Sequence, residues 1–234
     1  MSIYTISDLH LSLSIDKPMD IFGYNWQNYM ERLKINWQST VKKEDTVIIG
    51  GDISWATYID ECFKDFSYLE SLNGKKIILK GNHDYWWESL TKLNKYIIQN
   101  EFSTISFLHN TSFLVENVAI CGGRGWIDPS YSNFTKDDEK IYSRELERLK
   151  LSLESSKKFD AKTTFVFLHY PPVTKDLTIN EDYENIFKMY NVKKCFYGHL
   201  HSKASKNSFE GICNGIEYKL VSSDYMEFMP YKIT

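Results

Sequence analysis

Five short apolar runs in this chain each break off into a segment rich in Asp, His, Asn and Gly. That recurrence constrains the fold more than any other feature. Ser2–Ser7 passes into Asp8-Leu9-His10, and Thr46–Gly50 passes into Gly51-Asp52. Lys76–Lys80 passes into Gly81-Asn82-His83-Asp84, Thr163–Leu168 into His169, and Lys194–Tyr197 into Gly198-His199-Leu200-His201. The runs have the length and composition of buried strands. Ligand sites of α/β folds gather beyond the carboxyl ends of their strands. Five of the six His fall in these exits, with only His109 outside.

The segments between the runs carry helical periodicity. Trp26, Met30, Leu33 and Trp37 form one stripe, and Ile59, Cys62, Phe63, Phe66 and Leu69 a second. Trp86, Leu90, Leu93 and Ile97 form a third, and Tyr142, Leu146, Leu149 and Leu153 a fourth. Each places its apolar side chains on one helical face. Strand, helix, strand in succession means parallel strands with helical crossovers. Further strands are expected at Ile105–Leu108, Phe113–Val115, Val118–Cys121 and Ile216–Val221, with hairpin pairing inside 105–121. The fold class is α/β, with a mixed sheet or two packed sheets covered by helices. No repeat, low-complexity tract or linker divides the chain, so residues 1–234 read as one domain.

Composition excludes several functions. The 28 basic and 31 acidic residues leave a net charge of -3, and Lys pairs are scattered, which argues against a nucleic-acid partner. Cys62, Cys121, Cys195 and Cys213 form no CxxC pair, and they read as reduced, buried thiols. No apolar run is long enough to span a bilayer and no signal peptide is visible, so a cytoplasmic protein without a membrane partner is expected. The aromatic content, 15%, is the one departure from average composition.

The strand exits offer carboxylate, imidazole and amide oxygen donors, and no thiolate. That set suits Mn, Fe or Zn in a reactive site, not a structural zinc site. In extended chain Asp8 and His10 face one side, as do His199 and His201. Adjacent Asn82 and His83 point apart, so one can bind metal while the other faces substrate. Seven ligand side chains exceed the needs of one ion, and with Asp52 shared they serve two.

The series Asp-x-His, Gly-Asp, Gly-Asn-His-Asp, His and Gly-His-x-His, in that order from Asp8 to His201, resembles the calcineurin-like metallophosphoesterases. The resemblance implies two packed mixed β-sheets flanked by helices. It implies that Asp8, His10, Asp52 and His201 hold a first ion, and that Asp52, Asn82, His169 and His199 hold a second. It further implies a phosphohydrolase acting on a small phosphorylated substrate, a phosphomonoester or phosphodiester. Water shared by the ions would attack phosphorus in line, with His83 as general acid. A nuclease or cyclic-nucleotide phosphodiesterase of the same fold is the alternative within enzymes, and a non-catalytic binding scaffold the alternative outside them.

One departure stands out. The family often shows Gly-Asp-x-x-Asp in the second block, the last Asp supporting the catalytic His. Here Trp55 takes that place and Ala56 follows, so Ser54 or backbone groups are expected to orient His83. Asp84 is expected to cap the helix of the third stripe. Arg124, leaving a strand in a glycine-rich turn, is a candidate for bidentate phosphate binding. Trp55, Tyr85, Trp87, Trp126 and Tyr170 are candidates for an aromatic substrate wall. Trp26 and Trp37 read as core. The aperiodic stretches 11–25, 122–135 and 202–215 are expected to be loops over the site.

Overall fold

Strands without polar alternation are buried on both faces, and such strands build the centre of both sheets here. A computed structural model describes residues 1–234. β1 (Ile3–Ile6), β2 (Thr46–Ile49), β3 (Lys75–Ile78) and β4 (Ile105–Phe107) form a parallel first sheet in that order. The second sheet contains β5 (Phe113–Val115), β6 (Val118–Gly123), β7 (Thr163–Leu168), β8 (Val192–Tyr197), β9 (Gly211–Cys213) and β10 (Ile216–Leu220). Its order is β5-β6-β7-β8-β10-β9, parallel in the middle with antiparallel β5 and β9 at the edges. A last strand, β11 (Tyr231–Lys232), pairs antiparallel with β1.

The alternation of side chains sorts the core into layers. Ile3, Ile48 and Ile77 face Ile120, Phe165, Phe167 and Phe196 between the sheets. Their neighbours Tyr4, Val47 and Ile78 face outward, into a core built with α1 (Tyr29–Thr40), α2 (Phe63–Ser71) and α3 (Leu90–Gln99). α4 (Lys136–Ser155) and α5 (Glu181–Met189) cover the outer face of the second sheet. The molecule is therefore two mixed sheets flanked by helices. No helix is long and apolar enough to cross a membrane. All four cysteines are free, and Cys62, Cys121 and Cys195 are buried.

Several local expectations are corrected. Only β5 and β6 form the hairpin expected within 105–121; β4 joins the other sheet, parallel to β3. Trp26 and Trp86 lie before their helices rather than in them, because the chain is turning toward the site there. Helix α3 is capped by Ser89, which accepts the Lys92 N–H, so Asp84 is not its cap. The stretch 202–215 contains a 3-10 turn (Ser202–Asn207) and β9. Lys76 is fully buried on β3, donating to the carbonyls of Leu72 (2.8 Å) and Gly74 (2.9 Å). Burial pushes its pKa down to about 8.

The segments beyond the strands stay joined. Asp8, His10 and Leu11 donate N–H bonds of 2.9 Å to the carbonyls of Gly51, Asp52 and Ile53. Ser7 donates to Val221 (2.8 Å) and accepts from Ser223 (2.9 Å), which stitches the first sheet to the second. The exits of both sheets meet along this seam.

Candidate metal centre

The seven donors named from the sequence converge at the seam. Four of them do so on unusual backbone: Asp8, His10, Asp52 and His199 have φ of 62°, 47°, 51° and 71°. Asp8 and His10 are thus brought together by left-handed turns, not by the extended spacing expected of them. Such conformations cost roughly 1–3 kcal/mol each and persist where the surroundings enforce them.

Asp52 sits in the middle. Its Oδ1 accepts the backbone N–H of His83 (2.8 Å), leaving Oδ2 to face His10 Nε2 (3.8 Å) and His169 Nε2 (3.5 Å). Asp8 Oδ1 faces His201 Nε2 (3.4 Å) and His169 Nδ1 (3.8 Å). The ring nitrogens of His10 and His201 approach to 3.3 Å. Asn82 Oδ1 lies 2.6 Å from His169 Nε2 and 2.9 Å from His199 Nδ1. Asp8, His10 and His201 form one group able to hold an ion, and Asp8, Asp52 and His169 form another.

The surroundings aim these donors. Gly50 O accepts from His169 Nδ1 (3.1 Å), and Asp224 Oδ1 accepts from His201 Nδ1 (2.8 Å); such outer partners fix ring orientation. Asp84 is a buried carboxylate that accepts backbone N–H bonds from Asp52 (2.9 Å), Ile53 (2.8 Å), Ser54 (3.3 Å) and Gly81 (2.8 Å). It also accepts the Trp86 indole N–H at 3.0 Å. One carboxylate thus ties the Asp52 loop to the Asn82 loop. Gly81 permits that approach, since a Cβ there would collide with Asp52.

Electrostatics fit a cationic occupant. Asp8 and Asp52 are buried, and the side chains facing their oxygens are imidazoles, with no lysine or arginine among them. Burying two carboxylates without compensating charge costs several kcal/mol each. Burial would raise the Asp8 carboxyl, yet His201, His169 and His10 hold it low. Burial, then Asp84 and Asp8, pushes Asp52 up. Burial lowers His169 to about 3 and His199 to about 4, and depresses His10 as well, which keeps these rings neutral and free to ligate. Burial opposes charge on His201 too, but Asp8 and Asp224 raise it to about 10. The donor set and charge deficit suit bound cations, with no ligand of the wrong chemistry among the donors; the two groups share Asp8, where the sequence reading expects Asp52 to be shared.

His83 opens beside these residues without belonging to either group. Its ring is bounded by Trp55 (4.5 Å between centroids), His10 (5.8 Å) and Tyr85 (6.3 Å). Ser54 does not orient it: the Ser54 hydroxyl is given to the buried carboxylate of Asp65. Trp55 occupies the place of the missing acid and supports His83 by ring packing. Burial, then the nearby charge of Lys17, lowers the His83 pKa; an anion in the site acts in the opposite sense.

The expected aromatic wall is only partly there. Trp55 stacks on His10 at 4.8 Å and 22°, and the Lys17 ammonium lies 3.1 Å from its ring centroid. Trp55 is thereby held by His10 and Lys17, with His83 also against it at 4.5 Å. Tyr170 packs against His199 (4.1 Å) and Trp126 against Tyr170 (5.1 Å). Tyr85 is exposed near His83. Trp87 departs from expectation: it is buried against Phe107 and His109, away from any rim. Arg124 departs as well. Its guanidinium is committed to buried Glu145 (3.0 Å), shared with Arg148 (2.8 Å), and lies 4.5 Å from the Trp126 ring. Its part in the site is its carbonyl, which accepts from Tyr170 N–H (2.8 Å).

Sequence reading missed Asp224, the bridging role of Asp84, and Trp26, which contacts His10 and His201 edge-on or tilted at 5.8 and 5.7 Å. The signal for Asp224 existed: Ile216–Val221 also breaks off into Ser222-Ser223-Asp224, a sixth exit of the same kind. Trp26 was hidden because its spacing also completes a helical stripe.

A family model described as calcineurin-like phosphoesterase matches residues 1–203. The chain belongs to that family, and it is a metal-dependent phosphoesterase hydrolase by class. Solved structures with the same fold include the phosphopantetheinyl hydrolase of Mycobacterium tuberculosis, at 14% identity and TM-score 0.58, covering 99% of this chain and 95% of that one. The protein TT1561 of Thermus thermophilus is 12% identical with TM-score 0.58, over 92% of this chain and 86% of that one. The protein of unknown function AQ665 from Aquifex aeolicus is 16% identical with TM-score 0.51, over 99% and 95%. No curated protein sequence matches the chain.

Proposed function

We propose that this protein hydrolyses a small phosphomonoester or phosphodiester at a pair of transition-metal ions, Mn, Fe or Zn. The observation that carries this reading is the gathering of His10, His169 and His201 on the two buried carboxylates Asp8 and Asp52, with Asn82 and His199 next to His169 and His83 opening alongside. Asp8, His10, Asp52 and His201 would hold one ion; Asp52, Asn82, His169 and His199 would hold the other, with Asp52 Oδ2 facing both sets. The ions would supply charge neutralisation at phosphate and a water of lowered pKa. His83 gives its proton to the departing oxygen as the P–O bond to the leaving group breaks and a water oxygen bonds to phosphorus. Asp84 keeps the Asp52 and Asn82 loops in register throughout. Free thiols support a cytoplasmic location.

Metal-free protein reconstituted with Mn, Fe or Zn provides the test. The substrates are an aryl phosphomonoester, an aryl phosphodiester, cyclic nucleotides and single-stranded DNA. Turnover of a small ester with at least one metal is expected. Silence with every metal would overturn the reading in favour of a binding scaffold, and preference for DNA would make the protein a nuclease. Asp52→Asn should retain fewer than two ions per chain by elemental analysis.

A further inference from the structure

Two cavities flank the metal centre, and His83 lines only one of them. That one has a volume of about 190 Å³. Its walls are Met19, Phe22, Trp26 and Trp55, and its floor is His83 with His10 and His201. The other, of about 250 Å³, lies by His199, is walled by Trp126, Tyr131 and Tyr170, and has Asp128 and Asn133 at its edge.

A general acid must lie within hydrogen-bond reach of the oxygen that leaves. On the proposed reaction, the group attached to that oxygen therefore enters the cavity that His83 lines. Its walls are ring surfaces and a thioether, which favour flat unsaturated groups through offset, edge and sulfur–aromatic contacts. Trp55 is fixed in place by His10, by Lys17 and by its indole N–H, which is directed to Met19 Sδ at 3.0 Å. Trp26 is buried and Phe22 is half-exposed at 52%, so Phe22 forms the solvent side of the wall. The volume admits one ring system rather than an extended chain.

We infer that this cavity is the leaving-group site and selects phosphoesters whose alcohol carries a flat aromatic ring. The inference rests on the phosphoesterase reading above and names its substrate class. The second cavity also holds aromatic rings, but His83 does not line it, so it is not where the leaving oxygen meets its proton donor.

The test compares benzyl phosphate with cyclohexylmethyl phosphate, two primary-alcohol esters of similar size that differ in ring planarity. Metal-loaded wild type should show kcat/KM about 3–10-fold higher for the benzyl ester. Phe22→Ser and Met19→Ala, which leave every metal donor in place, should each bring the benzyl-to-cyclohexylmethyl ratio of kcat/KM down to within about 2-fold of one, whatever happens to the two rates separately. Two changes test both sides of the wall, so misfolding of one variant does not decide the matter. Equal rates for the two esters in wild type, or an undiminished preference in both variants, would overturn the inference and leave the phosphoesterase reading standing. If neither ester is turned over, the corresponding phosphonates measure the cavity directly by calorimetry. Tighter binding of 2-phenylethylphosphonate than of 2-cyclohexylethylphosphonate then supports the cavity assignment apart from catalysis, and equal binding refutes it.

Discussion

On one side of Asp52, His10 is held by ring stacking on Trp55 and by Trp26 at its edge, both from segments distant in sequence. On the other side, main chain sets the geometry. His169 bonds the Gly50 carbonyl, its own N–H reaches Arg124 O at 3.2 Å, and its carbonyl accepts the Gly198 N–H at 3.1 Å. The first side is built from large side chains and encloses an apolar space. The second is built from backbone approaches that only glycines at Gly51, Gly81 and Gly198 allow. Changes on the first side should alter what is cleaved, and changes on the second should alter whether the site assembles.

Four measurements would sharpen or break this contrast. His83→Ala, on the side-chain side, should lower turnover of an ester with a poor leaving group by roughly 10²–10⁴. Metal content, read on the same sample, should stay at wild-type level; unchanged turnover would remove the acid role. Gly81→Ala, on the backbone side, should behave differently, because its Cβ overlaps Asp52. A loss of about 3 kcal/mol or more in urea unfolding is expected, together with lost metal. Gly123→Ala is the control, since nothing lies within 4 Å of a Cβ there. Asp224→Asn removes the charged partner of His201 and should weaken metal retention by roughly 10–100-fold, read by competition with a chelator. A stable, metal-loaded site in Gly81→Ala would mean the two sides are not distinct.

The smallest effect lies away from both sides. Lys76 titrates at about 8 in the folded protein against 10.5 unperturbed. Between those values the unfolded chain binds the extra proton, so stability rises with pH across that window. Wild type should gain on the order of 1–2 kcal/mol relative to Lys76→Met between pH 7 and pH 10, measured by denaturant midpoint. A parallel pH dependence in the two proteins would show that the buried amine is not felt.

The contrast also explains what could be read from the sequence. The central strands, and the seven residues that gather at the seam, were legible because buried parallel strands are continuous apolar runs that stop abruptly at their polar exits. The backbone that unites them was not, since left-handed φ at Asp8 and His10 leaves no composition signal. Trp87 and Arg124 misled for the same reason in reverse. Each lies close in sequence to the site, but Trp87 turns into the core and Arg124 turns to Glu145. Edge strands β9 and β11 were missed because they are short and form only through pairing with β10 and β1.

The seam between the sheets has a further consequence. Asp8, His10, Asp52 and Asn82 come from the first sheet, while His169, His199 and His201 come from the second. Ions bound there would act as cross-links between two layers that otherwise share an apolar interface and a few backbone bonds. By mass action, whatever binds only the closed arrangement stabilises it. Withdrawing the ions should therefore speed amide exchange at Ser7 and Ser223 before it does so in the sheet interiors, making the protein's mechanical integrity a readout of its metal supply.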